Sequence, residues 1–164
     1  MREAVHAIRH GVALSRPDDV RILRLSGAGA WDALDRLVAG DLYLRDGQIR
    51  PGLLLDEDAH PFASCHIARD DEDALLLLVG PTGEALDAHL ARHTAGIPDV
   101  AVRDLTPETA LLALDGPFAW ELLALVAGAD CVGLPYLTFF HLDRALVYRA
   151  GETGEYGYGL IVPR

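Results

Sequence analysis

The sequence predicts an α+β fold, a largely antiparallel sheet with helices packed on one face. Three observations carry that reading. Segments of strand length alternate apolar with polar residues or run apolar throughout; three stretches repeat their apolar residues with the period of an amphipathic helix; and short turns rich in glycine, proline or acid separate them, with no low-complexity linker and no internal repeat. At 164 residues, 51% hydrophobic and 24% charged, the chain is expected to form one compact unit over residues 1–164 and to bury roughly two-thirds of its unfolded surface.

Residues 1–17 are weakly patterned and are expected to be the least ordered. Val20 to Leu25 reads as a strand, and Ser26-Gly27-Ala28-Gly29 supplies the small residues of a strand-to-helix turn. Trp31, Leu34, Leu37 and Val38 then fall on one helical stripe, with Gly40 placed to end the helix in a left-handed conformation. Asp41 to Arg45 and Arg50 to Leu55 read as two extended segments around Asp46-Gly47, a dipeptide that favours the positive φ of a hairpin loop. After the acidic turn Asp56-Glu57-Asp58, Pro61 to Arg69 returns as a strand. Beyond the polar turn at 70–73, Ala74 to Val79 is apolar throughout, as in a strand buried on both faces, and the segments make an antiparallel meander.

Pro81-Thr82 opens a second helix with Ala85, Leu86 and Leu90 on one face, closed by residues 96–98. Val100 and Val102 mark a short strand and Thr109 to Leu114 a further one, stopped by Asp115-Gly116-Pro117. In the third helix Phe118, Leu122 and Val126 lie four apart with Leu123 beside them, and Gly128 stops it. Leu137 to Arg149 and Tyr158 to Val162 are strand-like around a glycine-rich segment.

Charge excludes several functions. All 14 basic residues are arginines scattered among 25 acids, for a net charge of -11, so nucleic-acid binding is not expected. The longest apolar run, residues 74–79, is far short of the roughly 20 residues of a membrane helix, and the N-terminus lacks a secretory pattern, which leaves a soluble, cytoplasmic protein as the expectation. Cys65 and Cys131 are expected to be reduced.

Signatures of nucleotide hydrolysis, zinc proteolysis and the serine-hydrolase elbow are absent. His60, Cys65 and His66 match no common zinc spacing. On a strand Cys65 and His66 point to opposite faces, so a buried thiol and a solvated imidazole are expected, and no metal site. Trp31 and Trp120 read as core or interface aromatics, and the acidic runs as solvated turns. The most informative stretch is Arg149-Ala150-Gly151-Glu152-Thr153-Gly154-Glu155-Tyr156-Gly157-Tyr158. Its glycines let the backbone turn tightly and approach a ligand, and the Glu155 carboxylate can accept two parallel N–H bonds of the kind offered by the aminopyrimidine edge of a pterin or guanine. The alternative is a glycine-rich hairpin with an exposed acid. Tyr156 and Tyr158 either flank such a ring or sit on an exposed strand, and Arg149 pairs with Glu155, with an anionic ligand tail, or at the surface.

This segment resembles the R-x-G-Y-T-G-E-x-G-Y-E-[IL] motif of the aminomethyltransferase (glycine cleavage T-protein) superfamily, with Thr153-Gly154-Glu155 retained and Gly157-Tyr158 in register. Val20 to Gly27 with the following helix, Gly47-Gln48 with Leu54-Leu55-Asp56-Glu57, and Leu111 to Pro117 resemble the family's other motifs in order. The resemblance implies the fold of the T-protein folate-binding domain, lacking the C-terminal domains. It also implies tetrahydrofolate or a one-carbon derivative as cofactor, bound by Glu155, Thr153, Gly154, Tyr156, Tyr158 and Arg149. The sequence departs from the pattern at Glu152, where the family has tyrosine, and at Gly159, where it has an acid. Ala63 and Ser64 stand where it has its catalytic Asp-Asp pair, and Gly80 stands near a folate-contacting asparagine.

A positioned acid or base contributes on the order of 10²–10⁴-fold in rate, so aminomethyl transfer itself is not expected. The resemblance with these departures implies a folate-dependent one-carbon (methyl or methylene) transferase-like protein with altered catalytic residues, His66 or Asp56 serving as base, in specialised metabolism. Two other readings stand beside it: a non-catalytic assembly subunit of a larger amine-oxidising enzyme, and a scaffold or binding module that has lost folate. A domain standing without its usual neighbours is expected to cover an apolar face by forming a homodimer or by binding a larger protein partner.

Overall fold

The computed structural model describes residues 2–79 and 84–164. Along the chain the elements are α1 (Arg2–His10), β1 (Ala13–Ser15), β2 (Val20–Ser26), α2 (Ala30–Leu37), β3 (Ile49–Leu55), β4 (Pro61–Asp70), β5 (Asp73–Val79), α3 (Glu84–Thr94), β6 (Ala101–Asp104), β7 (Thr109–Asp115), α4 (Ala119–Ala127), a 3-10 turn (Ala129–Gly133), β8 (Phe139–Leu142), β9 (Ala145–Tyr148) and β10 (Gly157–Pro163). They form two compact units, Met1–Asp18 with Glu108–Arg164, and Asp19–Pro107. Each unit holds one five-stranded antiparallel sheet, in the mixed α/β architecture the sequence predicts.

In the Asp19–Pro107 unit the strand order is β3-β4-β5-β2-β6, and β3, β4 and β5 are the predicted meander. Helix α2 buries Ala30, Ala33, Leu34 and Leu37, a 3.6-period stripe, against Leu23 and Leu25 of β2 and Leu54, Ala63, Cys65 and Ile67 of the hairpin. Trp31 packs at the margin of this core, its Nε1 donating to the Glu72 carbonyl at 3.0 Å. Leu86 and Leu90 of α3 complete it. The predicted helix face is corrected at one position, because Ala85 is exposed and His89 takes the inward place. The expected helix start at Pro81-Thr82, the Gly80 position and the side chains of 75–79 lie outside the described residues.

Residues 41–45 are not a strand. Asp41 Oδ1 accepts the Tyr43 N–H at 2.9 Å and Arg50 donates to the Asp41 carbonyl, so side chains satisfy a backbone that a ladder would otherwise need. β3 pairs with β4 instead. The α2 helix ends earlier than its glycine signal, at Val38 in an extended conformation, with Gly40 left-handed two residues on.

In the other unit the order is β1-β7-β10-β9-β8. Its core gathers Leu114, Ala119, Leu123, Cys131, Val147 and Tyr158. Residues 2–10 and 13–15 form α1 and β1. α1 and β1 escape the pattern search because α1 fully buries no residue and β1 is three residues long. Helix α4 is rotated from its predicted stripe. Ala119 and Leu123 face inward, while Leu125 and Val126 are 83% and 71% exposed and Phe118 is also exposed. Alanine at the point of closest approach lets α4 lie near β7 and β10, which the larger Phe118–Leu122–Val126 stripe would prevent.

Candidate functional site

The loop 149–156 joins β9 to β10, and small residues shape it. Gly154 has φ of +82°, where an L side chain is strained. A Cβ on Gly157 would overlap the Gly151 Cα, so the two ends of the loop pass as close as backbones can. The Gly116 N–H donates to the Tyr156 carbonyl at 2.8 Å, which ties the loop to the end of β7. The Thr153 hydroxyl donates to Asp115 Oδ1 at 3.2 Å and accepts the Glu155 N–H at 3.4 Å, bracing the Thr-Gly-Glu turn from inside. Burial holds the Asp115 carboxyl above the usual carboxylate range. The hydrogen bond from Thr153 opposes that rise and the negative field of Glu152 adds to it.

A concavity of about 260 Å³ opens on this loop, lined by Tyr136, Arg149, Glu155 and Tyr156 with Gly151, Gly154 and Gly157. Glu155 presents a partly exposed carboxylate whose Oε1 accepts from Arg9 of α1 at 2.8 Å. Arg149 does not pair with Glu155. Its guanidinium donates to the Leu134 carbonyl at 2.8 Å and lies 4.9 Å over the Tyr156 ring, so it stiffens the wall as a cation–π partner. An acceptor carboxylate beside aromatic faces and close backbone suits a flat, N–H-bearing ring.

Of the predicted binding residues, Gly154, Glu155, Tyr156 and Arg149 come together here. Thr153 acts on the loop through Asp115. Tyr158 does not reach the concavity: it is 2% exposed and packed into the core, because its place in β10 turns it inward, and burial raises its hydroxyl pKa. Sequence reading missed Arg9 and Tyr136. Arg9 is 146 residues from Glu155, and a pairing over that separation has no local signal.

His66 and Asp56 belong to the Asp19–Pro107 unit. His66 sits on β4 opposite Pro51, and Asp56 follows β3, five strand residues or roughly 16 Å along the hairpin. They are not brought together. Asp56 Oδ1 accepts the His60 and Asp58 N–H groups at 2.8 and 3.0 Å, and the His60 bond foremost lowers its pKa, a turn-former's environment. Cys65 is buried as expected, its thiol pushed up to about 12 by desolvation, while His66 on the opposite face is half-buried. Both cysteines are free thiols.

The comparisons with known proteins agree with this geometry. Residues 1–164 match the GCVT N-terminal domain. An aminomethyltransferase of Geobacillus thermodenitrificans (strain NG80-2) is 32% identical over 167 residues, covering 98% of this chain and 45% of the relative. An aminomethyltransferase of Rubrobacter xylanophilus (strain DSM 9941 / JCM 11954 / NBRC 16129 / PRD-1) is 36% identical over 137 residues, covering 80% of this chain and 37% of the relative. The chain thus spans about half the length of the curated relatives it matches. The crystal structure of glycine cleavage system aminomethyltransferase T from Bartonella henselae superposes with a TM-score of 0.87 at 26% identity, over 98% of this chain and 44% of that one. The heterotetrameric sarcosine oxidase of Corynebacterium sp. U-96 shares the fold, with a TM-score of 0.62 at 19% identity over 99% of this chain and 82% of that one. By sequence over its whole length and by fold, the chain belongs to the GCVT N-terminal domain family.

Proposed function

We propose that this chain binds a reduced folate, with the pterin ring in the concavity and its N–H edge on Glu155, as the folate-binding part of a one-carbon transferase-like protein of the cytoplasm. The observation that carries the reading is the placement of Glu155: the acid of a glycine-built turn lies on a concavity walled by Tyr136 and the Arg149–Tyr156 stack. The volume of about 260 Å³ is just below the roughly 300–1,000 Å³ of small-molecule sites, so it takes the ring and leaves the tail outside. Arg9 is half-exposed and yields Glu155 to the ligand at little cost. Changed chemistry is part of the proposal. Ala63 is a core residue and Ser64 carries no acid. Asp56 is committed to its turn, which favours His66 as the base. Anaerobic calorimetric titration with tetrahydrofolate tests the reading: micromolar binding lost in Glu155→Ala supports it, and no binding by a folded protein refutes it.

A second reading concerns assembly. The outward residues Phe118, Leu125 and Val126 at α4 form an exposed apolar strip with one acid, Glu121, at its edge. This supports a homodimer. Sedimentation should show a dimer at micromolar concentration that Leu125→Glu converts to monomer; a monomeric parent would refute it.

A further inference from the structure

Helix α3 carries His89 and His93 one turn apart, the spacing that sets two imidazoles on one helix face. Their ring centroids are 4.4 Å apart, with the planes tilted by 45°. His89 is 7% exposed and stacks on Phe62 of β4 at 4.7 Å and 20°, so its ring is fixed by packing. Its Nε2 is buried and has no hydrogen-bond partner among the described residues, an arrangement that native interiors seldom leave unanswered. Burial, followed by the fields of His93 and Arg92, lowers its pKa. Arg92 projects from the same turn but is engaged by the Glu57 carboxylate, which offsets its charge.

We propose that His89 and His93 form a two-imidazole chelate for one divalent late transition ion, such as Zn²⁺ or Cu²⁺. Imidazole selects these over Mg²⁺ and Ca²⁺, which require oxygen. Among the described residues no group of three or more His, Cys, Asp or Glu converges. Water or a donor atom of a bound molecule therefore fills the remaining positions, and the ion exchanges with solution rather than holding the fold. Phe62 plays the orienting part that outer-shell groups play at metal sites, fixing one ring before the ion arrives. The chain holds a second pair of the same spacing, His6 and His10 on α1, with centroids 4.7 Å apart and tilted by 49°. Both of its rings are exposed, and no buried nitrogen is left unpartnered there. That contrast supplies the control.

The test is calorimetric titration of the full chain with Zn²⁺ alone, in the His6→Ala/His10→Ala background, with the imidazole Cε1–Hε1 signals followed by NMR. One equivalent of zinc should bind and shift the signals of His89 and His93, and Mg²⁺ should shift neither. His93 is only partly buried, so His93→Ala keeps the fold by circular dichroism; it should weaken zinc binding at least tenfold. No zinc uptake in the His6→Ala/His10→Ala protein, or an affinity unchanged by His93→Ala, overturns the proposal.

Discussion

Gly159 offers the sharpest test of the packing around the site. A Cβ built on it falls 2.0 Å from Tyr148 Cζ and 2.3 Å from its hydroxyl oxygen, against the roughly 3.5 Å of an optimal carbon contact. The Gly159→Ala substitution therefore forces the Tyr148 ring back by about 1.5 Å. That ring is buried on β9, opposite Gly159 across the ladder, in an interior where such a shift must displace neighbours. Overpacking of this kind costs about 1–3 kcal/mol, and the reduced entropy of the unfolded alanine chain returns about 0.4–1 kcal/mol, because the backbone here is not left-handed. A net loss of about 1–2 kcal/mol, near the middle of those ranges, lowers Tm by roughly 2–8 °C for a chain of this size. Thermal melts of Gly159→Ala, of Tyr148→Ala and of the double variant check it. Tyr148→Ala costs about 3–5 kcal/mol by itself, and once the ring is gone the alanine at 159 should no longer destabilise and returns about 0.4–1 kcal/mol, a coupling of about 1–3 kcal/mol. A single variant within 0.5 kcal/mol of the parent, or strictly additive losses, would show that the ring and the glycine are not matched.

Two further outcomes are expected. The raised Asp115 pKa means that the native carboxyl holds its proton more tightly than the unfolded one. Its favourable contribution is full below the unfolded value of about 3.9 and is lost as pH rises through the higher native value. Asp115→Asn keeps an oxygen to accept from Thr153, so it should melt with the parent near pH 3.5 and above it at pH 7; a constant difference across that range would refute the assignment. Arg9→Ala should change stability by less than about 1 kcal/mol, as an exposed pair does, and tighten tetrahydrofolate binding by freeing Glu155 Oε1; weaker binding would make Arg9 part of the ligand site instead.

The strands β2, β4, β7 and β10 and the helix α2 were legible because their apolar residues recur at strand or helix spacing, or run together, within adjacent residues. What failed did so where the stabilising partner is remote or atypical. The 41–45 segment looked extended until Asp41 and Arg50 satisfied its backbone from the side. Phe118 and Val126 of the stripe expected to bury α4 turned outward because Ala119 at the closest approach, with Leu123 one turn on, seats the helix nearer the sheet than they allow. For the site, the local half was readable: glycines, a carboxylate and a tyrosine within nine residues announce a ligand-approaching turn. Its other half, Arg9 and Tyr136, is assembled by the fold, and so is the demotion of Tyr158 to core.

The departures from the family motif are physically connected to these contacts. At 159 the motif's acid is replaced by glycine, and the space is filled by the Tyr148 ring; an acidic side chain there would meet a buried aromatic whose hydroxyl is already held protonated by burial and by the fields of Glu152 and Asp115. At 152 the motif's tyrosine is a glutamate, and its charge is one of the influences that raise Asp115, the residue that braces Thr153. Gly159 thus lies under the Tyr148 ring, and the exposed Glu152 acts on the loop through the charge it sets beside Asp115, while Gly154 and Glu155 line the concavity. Glu155→Ala against Gly159→Ala separates retained folate binding from its loss. The first should abolish binding with the fold intact. The second should lower stability while the remaining folded protein still binds.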